Sequence, residues 1–207
     1  MKLYCKIIIL LLAFISIVSC ARTLPSSSLA YFPSTLTATS LDSKGEKEVS
    51  IYFEPLADLR KERTARIGTG VGLIYMFPKY QEFTLDQHPI NLIQASIERR
   101  LKSIGIVRAR SKHDARGIIK AGLKIFESNE KHLAALTNAT SDVEIVIEIT
   151  DKDSSKPLFS KTLKANSNSS GVNADDGRYA LDALSRALEI AMEQLKSEEI
   201  LPVLVNK

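Results

Sequence analysis

The chain has 207 residues, 44% of them hydrophobic and 25% charged, with 28 Lys+Arg against 24 Asp+Glu. That is the ordinary mix of a globular protein, and enough chain for one well-packed domain. A net charge of +4, no Trp and 6% aromatics supply neither the basic footprint nor the stacking platform of a nucleic-acid binder, so no nucleic acid is expected as a partner.

Lys2 and Lys6 lead into an apolar run from Ile7 to Val18 in which only Ser16 is polar. A membrane-spanning helix needs roughly 20 apolar residues, so this run is too short to span. A basic start followed by such a run is the pattern of a secretory signal peptide, here residues 1–19. The run ends Ile17-Val18-Ser19-Cys20, which resembles the lipobox of bacterial lipoproteins: an aliphatic residue, a tolerant position, a small residue and Cys. The resemblance implies that the Cys20 thiol takes a diacylglyceryl group and that cleavage leaves Cys20 as the first residue. The alternative is an ordinary signal peptide with a coincidental Cys, for which Ile17 is a bulky cleavage-site residue. Cys5 and Cys20 are the only cysteines, so the processed chain would hold no free thiol and no disulfide. Ala21 follows the lipidation site, where Asp would favour the inner membrane in enterobacterial lipoproteins; the resemblance therefore implies the outer membrane.

Residues 20–45 are rich in Ser and Thr, include Pro25 and Pro33, and hold no period of 2 or 3.6. They read as a lipidated Cys followed by a flexible tether, parts of which could pack on the domain through Tyr31, Phe32 or Leu36. Residues 46–207 read as a single domain. Val49, Ile51 and Phe53 alternate with polar or amphipathic neighbours as a half-buried strand does. Residues 56–70 are polar and close on Gly68-Thr69-Gly70-Val71-Gly72, and Leu73–Phe77 reads as a short strand closed by Pro78. Asp86 is a plausible N-cap with Pro89 in the first helical turn. Ile90, Ile93, Ile97, Leu101 and Ile104 then form one apolar stripe, and Gly105 ends the helix. Strands are expected at 106–109, 117–126, 142–150 and 158–165, with Asn129–Asn138 as a connection and Ser167–Gly177 as a polar loop. Asp175 or Asp176 can cap a last helix striped by Leu181, Leu184, Leu188, Ala191 and Leu195. The tail Leu201–Val205 has no assigned state. Polar-out alternation predicts an α+β fold: an antiparallel sheet of four to five strands with two helices on one face, in β-α-β-β-β-α-like order.

This order is similar to the YajG-like family of bacterial outer-membrane lipoproteins. The matching features are the lipobox, the Ser/Thr/Pro spacer, Asp58-Leu59-Arg60 followed by Ile67-Gly68, the helix Ile90–Leu101, the alternating strands and the Ala/Leu-rich last helix. The resemblance implies an envelope location, this fold and a non-enzymatic role, with no catalytic residue to carry over.

A search for chemistry points the same way. His88, His113 and His132 are far apart in sequence and read as surface or loop histidines, with no metal-ligand spacing. The three glycines match neither a P-loop nor a dinucleotide fingerprint, and read as residues of a flexible connection or a bulge. No nucleophile elbow occurs. One asymmetry remains: between Arg99 and Lys124 nine basic residues accompany one acid, Asp114. Arg108, Arg110, Lys112 and Arg116 are the candidate contact patch for an anionic surface or an acidic partner; a solvated face is the plainer account. The expected function is a lipid-anchored, non-enzymatic binding or accessory module at the outer membrane, facing the periplasm. Its partners would be the membrane, through Cys20, and an envelope protein. The alternative is a periplasmic carrier or sensor of a small amphiphile held between the Ile90–Leu101 helix and the sheet. No enzymatic activity, cofactor or metal is expected.

Overall fold

The computed structural model describes residues 20–29, 49–74, 77–133, 135–172 and 176–205. The expected signal peptide (1–19) and residues 30–45 of the expected tether lie outside the described residues. Among the described residues there are nine strands in one mixed sheet and three α-helices. The expected four- to five-stranded antiparallel sheet with two helices is therefore corrected.

The sheet is organised along β7 (Gly117–Leu133), a strand of 17 residues. One edge of β7 pairs antiparallel with β8 (Leu136–Asp151), and β8 pairs antiparallel with β9 (Pro157–Val172). The other edge is shared by three short segments, all parallel to β7: β2 (Val49–Phe53) beside 117–119, β3 (Ala57–Asp58) beside 122–123, and β4 (Arg66–Ile74) beside 128–133. Beyond β2 lies β6 (Ile106–Arg108), parallel to it. Beyond β4 lies β5 (Phe77–Leu85), antiparallel to it, and outermost is β1 (Cys20–Leu24), parallel to β5. Residues 20–29 thus belong to the sheet's own packing, ahead of the expected domain boundary at 46. Ser26 N donates to Asp86 Oδ1 at 3.0 Å, Gln87 Nε2 donates to Ser26 Oγ at 2.7 Å, and Leu29 is fully buried.

α1 (Pro89–Ser103) packs on β6 and β7, and α2 (Arg178–Glu193) packs on β7, β8 and β9 while touching α1. α3 (Ser197–Val205) packs on β9 and β2, so the tail left unassigned is a helix, with Pro202 inside it and Ile200 and Leu204 buried. All the stripe positions of α1 that the sequence marks are buried or half-buried, and Gly105, at φ 87°, takes the left-handed position just past the helix. His88 rather than Asp86 caps α1, its Nδ1 accepting from Ile90 N at 3.3 Å.

The missed strands share a cause. In the first half of β7–β9 the helix-facing positions are Ile119, Leu123, Ile145, Ile147, Ile149 and Leu163, all at most 1% exposed. In the second half they become Ser128, Glu130, His132, Thr137 and Ser141, buried yet polar. β7 continues to Leu133 and β8 begins at Leu136, so both strands reach well into the expected connection at 129–138, and β9 continues through 167–172 of the expected loop, but their inward faces no longer read as hydrophobic. The glycine-bearing segment is likewise a strand, β4, with a bulge between Arg66 and Gly68. A Cβ on Gly72 would lie 2.2 Å from the His132 carbonyl oxygen, so only glycine lets β4 approach β7 this closely.

Candidate functional site

Cys20 opens β1, level with Gln81 of β5. The lipidation candidate is therefore the first residue of an edge strand. Arg22 and Leu24 follow two and four places on, the first exposed and the second buried against the core.

Arg108 ends β6, and Arg110, Lys112 and Arg116 lie on the segment that joins it to β7, at the sheet's β2–β6 end. All four are exposed. Arg108 Nη1 pairs with Glu98 Oε1 of α1 at 2.6 Å and its guanidinium lies 5.8 Å from the Phe53 ring centre. Lys112 Nζ pairs with Glu54 at 2.8 Å and lies over Tyr52. That hydrogen bond holds the Glu54 carboxyl below its usual range and the Lys112 ammonium above its own. Among the described residues Arg110 and Arg116 have no ion-pair partner. Backbone bonds from Ala109 N to Ile51 O and from Arg116 N to Ser50 O brace the segment, and the Ser50 hydroxyl donates to Asp114 O. The structure therefore brings the four cations onto one braced loop, two of them already paired. The other basic residues of the run disperse: Arg99, Arg100 and Lys102 to α1, Lys120 and Lys124 to the sheet face away from the helices.

A cleft of about 420 Å³ opens where β3 stops pairing with β7 and β4 has not yet begun. Arg60, Arg66, Thr69, Lys124 and Glu127 are among its lining residues. Arg60 is tied down, its guanidinium bridging Asp58 at 2.8–2.9 Å and the carbonyls of Thr64 and Arg66. The Asp58-Leu59-Arg60 motif thus folds the 58–66 loop. The hydrogen bond from Arg60 also keeps the Asp58 carboxyl below its ordinary value.

A buried polar group lies under the start of α2. Glu130 Oε1 accepts from Ala180 N at 2.8 Å, and Glu130 Oε2 is 3.7 Å from His132 Nε2. His132 Nδ1 is 3.1 Å from Thr137 Oγ1. Gly177, at φ 75°, occupies the N-cap position without a side chain to give; of the two expected caps, Asp176 instead binds Arg178 and Asp175 lies outside the described residues. A glutamate from the sheet therefore serves as the remote cap, favoured by the helix dipole. His132 corrects the expectation of a surface histidine; its sequence signal was only its alternation with Glu130. Among the described residues no group of three or more His, Cys, Asp or Glu is placed to hold a metal ion, and no helix is long and apolar enough to cross a membrane.

No family model matches the chain, and no curated protein matches it. Among solved structures it is similar to protein XCC0632 from Xanthomonas campestris, of the DUF330 family, with a TM-score of 0.50 and 16% identity over 71% of this chain and 82% of that one. It also matches protein CT253 from Chlamydia trachomatis, with a TM-score of 0.41 and 13% identity over 75% of this chain and 95% of that one. Lipoprotein GNA1162 from Neisseria meningitidis matches with a TM-score of 0.36 and 11% identity over 71% of this chain and 99% of that one. The likeness to XCC0632 is a likeness of fold.

Proposed function

We propose that the chain is a lipid-anchored, non-enzymatic module of the bacterial outer membrane, held through Cys20, that presents the 108–116 loop to an acidic protein partner in the periplasm. The observation that carries this reading is the run Ile17-Val18-Ser19-Cys20 at the end of an apolar stretch, with Cys20 opening an ordered strand. The patch supports the second half: it lies at the start of β7, and the strand runs on for roughly 50 Å to its far end at Leu133, the end beside which β1 begins. An anchor near one end leaves the cations facing away from the bilayer, so a soluble partner suits them better than lipid. The amphiphile-carrier alternative gains nothing from the cleft described above, which borders β3 and β4 rather than α1. The test is palmitate labelling with detergent partitioning: wild type should label and enter the detergent phase, and Cys20→Ala should do neither. Unlabelled wild-type protein would refute the anchor.

A further inference from the structure

Eight large hydrophobic side chains are exposed among the described residues, and five lie at one end of the sheet: Val71 (50% exposed), Tyr80 (41%), Leu133 (60%), Leu136 (51%) and Val172 (77%). The register gathers them. Leu133 stands opposite Leu136, and Leu136 opposite Val172, so the three form a row across β7, β8 and β9. Two residues earlier, Tyr80, Val71 and the exposed Lys131 form a second row across β5, β4 and β7. His132 and Thr137 point into the helix side, so their neighbours Lys131, Leu133 and Leu136 point to the open face. Further down that face β7 and β8 carry Lys124, Glu127, Asn129 and Asp142. The exposed apolar strand residues are thus gathered at this end of the sheet, with Leu59 of the 58–66 loop, over Gly122, further down the face.

The chain's entry point lies at the same end. Cys20 is level with Gln81, Gly70, Glu130 and Ala139, three residues short of the Leu133 row, or about 10 Å along the strands. β1 is parallel to β5, whose first residue, Phe77, is at that end, so Cys20 is the residue of β1 nearest that end. Residues 21–24 are paired into the sheet, which leaves no slack between Cys20 and the domain. Lys131 among the apolar side chains matches the anionic headgroups of a bilayer.

We infer that this end of the sheet is a membrane-contacting surface: Leu133, Leu136 and Val172 lie in the headgroup region of an anionic bilayer beside the acyl chains on Cys20. This rests on the anchor proposed above. β7 and β8 can meet that region because their backbone groups are paired with a strand on each side. The domain then stands on the bilayer by its end, with β7 pointing away from it.

The chain has no Trp, so Leu133→Trp and Arg110→Trp each place a single indole, at the membrane end and at the far end. The full chain is purified from membranes and reconstituted into phosphatidylethanolamine–phosphatidylglycerol vesicles containing brominated lipid. The indole at 133 should be blue-shifted and quenched about twofold or more, as for a ring within roughly 5–10 Å of the headgroup–acyl boundary, and the indole at 110 should be unaffected. Val172→Trp is the second reporter if Leu133→Trp does not fold. Equal quenching at both ends, or none at 133, would overturn the inference. So would a blue-shifted but unquenched indole at 133 in a larger species, which would mean a second copy covers this end. The mass of the N-terminal peptide in the same preparation separates the two claims. An unacylated chain quenched at 133 refutes the anchor and keeps the contact, whereas an acylated chain unquenched there does the reverse.

Discussion

Arg60 is 7% exposed and Asp58 12%, so each charge depends on the other for the solvation it has lost. Removing one member of a buried pair strands the other, which costs about 3–5 kcal/mol. Arg60→Met should therefore lower the urea midpoint by an amount corresponding to about 3 kcal/mol, and the 58–66 loop should become protease-sensitive. The pair also has a pH signature. The Asp58 carboxyl is held below its ordinary value of 3.8, chiefly by the Arg60 hydrogen bond, with His88 Nε2 3.6 Å away. A depressed folded-state pKa gives stability that is present above 3.8 and lost as the pH falls toward the lower folded-state value. Wild type should therefore lose stability below about pH 4 more steeply than Asp58→Asn, which starts lower and has no proton to gain there. A second prediction belongs to Glu130. Glu130→Ala leaves Ala180 N without its acceptor in a buried site and should cost about 1–3 kcal/mol, with loss of amide protection in the first turn of α2. Unchanged protection would remove Glu130 as the remote cap.

At the scale of elements, α2 is the clearest test. Leu188 is fully buried beside Ala187 and Ala191, and Leu188→Ala should cost about 2–5 kcal/mol; an unchanged melting midpoint would mean the wrong face is against the sheet. α1 and α2 were legible because Ile93, Ile97, Leu101, Leu184 and Leu188 repeat at helical steps, and β2 because Val49, Ile51 and Phe53 alternate, whereas α3 was not. The upper half of the sheet was not. Ser128 and Ser141 bury hydroxyls bonded to each other at 2.7 Å, and His132 and Thr137 do the same with an imidazole. A polar residue satisfied by a cross-strand partner looks, in one dimension, like a loop residue. The parallel pairing of β4 with β7 was hidden for a related reason, since Gly68 and Gly72 announce a turn while serving as points of close approach. The candidate contact loop was legible as a charge run, but not that Glu98 and Glu54 already hold two of its cations. Reversing the other two, Arg110→Glu with Arg116→Glu, should leave the melting midpoint nearly unchanged, because exposed charges contribute about 0–1 kcal/mol. It should abolish salt-sensitive crosslinking to an acidic partner; crosslinking that persists would return the loop to a solvated face.

For the whole molecule, the decisive feature is where residues 20–29 sit relative to the sheet. A tether after Cys20 would let the domain hang some distance from the lipid. Instead Leu24 is 2% exposed and Leu29 fully buried, and the first described residues close the edge of β5. Leu29→Ala should consequently cost about 2–5 kcal/mol, and a chain beginning at Glu46 should be less stable than one beginning at Ala21; a tether residue would cost nothing. On the proposed anchor, the place of Cys20 in this strand would set the orientation of the domain as well as its location, with the 108–116 loop at the opposite end offered outward. The measurement that bears most directly on this account is the mass of the N-terminal peptide of the chain isolated from membranes. The account predicts a peptide that begins at Cys20 and carries a diacylglyceryl group. A peptide that begins elsewhere, or an unmodified Cys20, would contradict it.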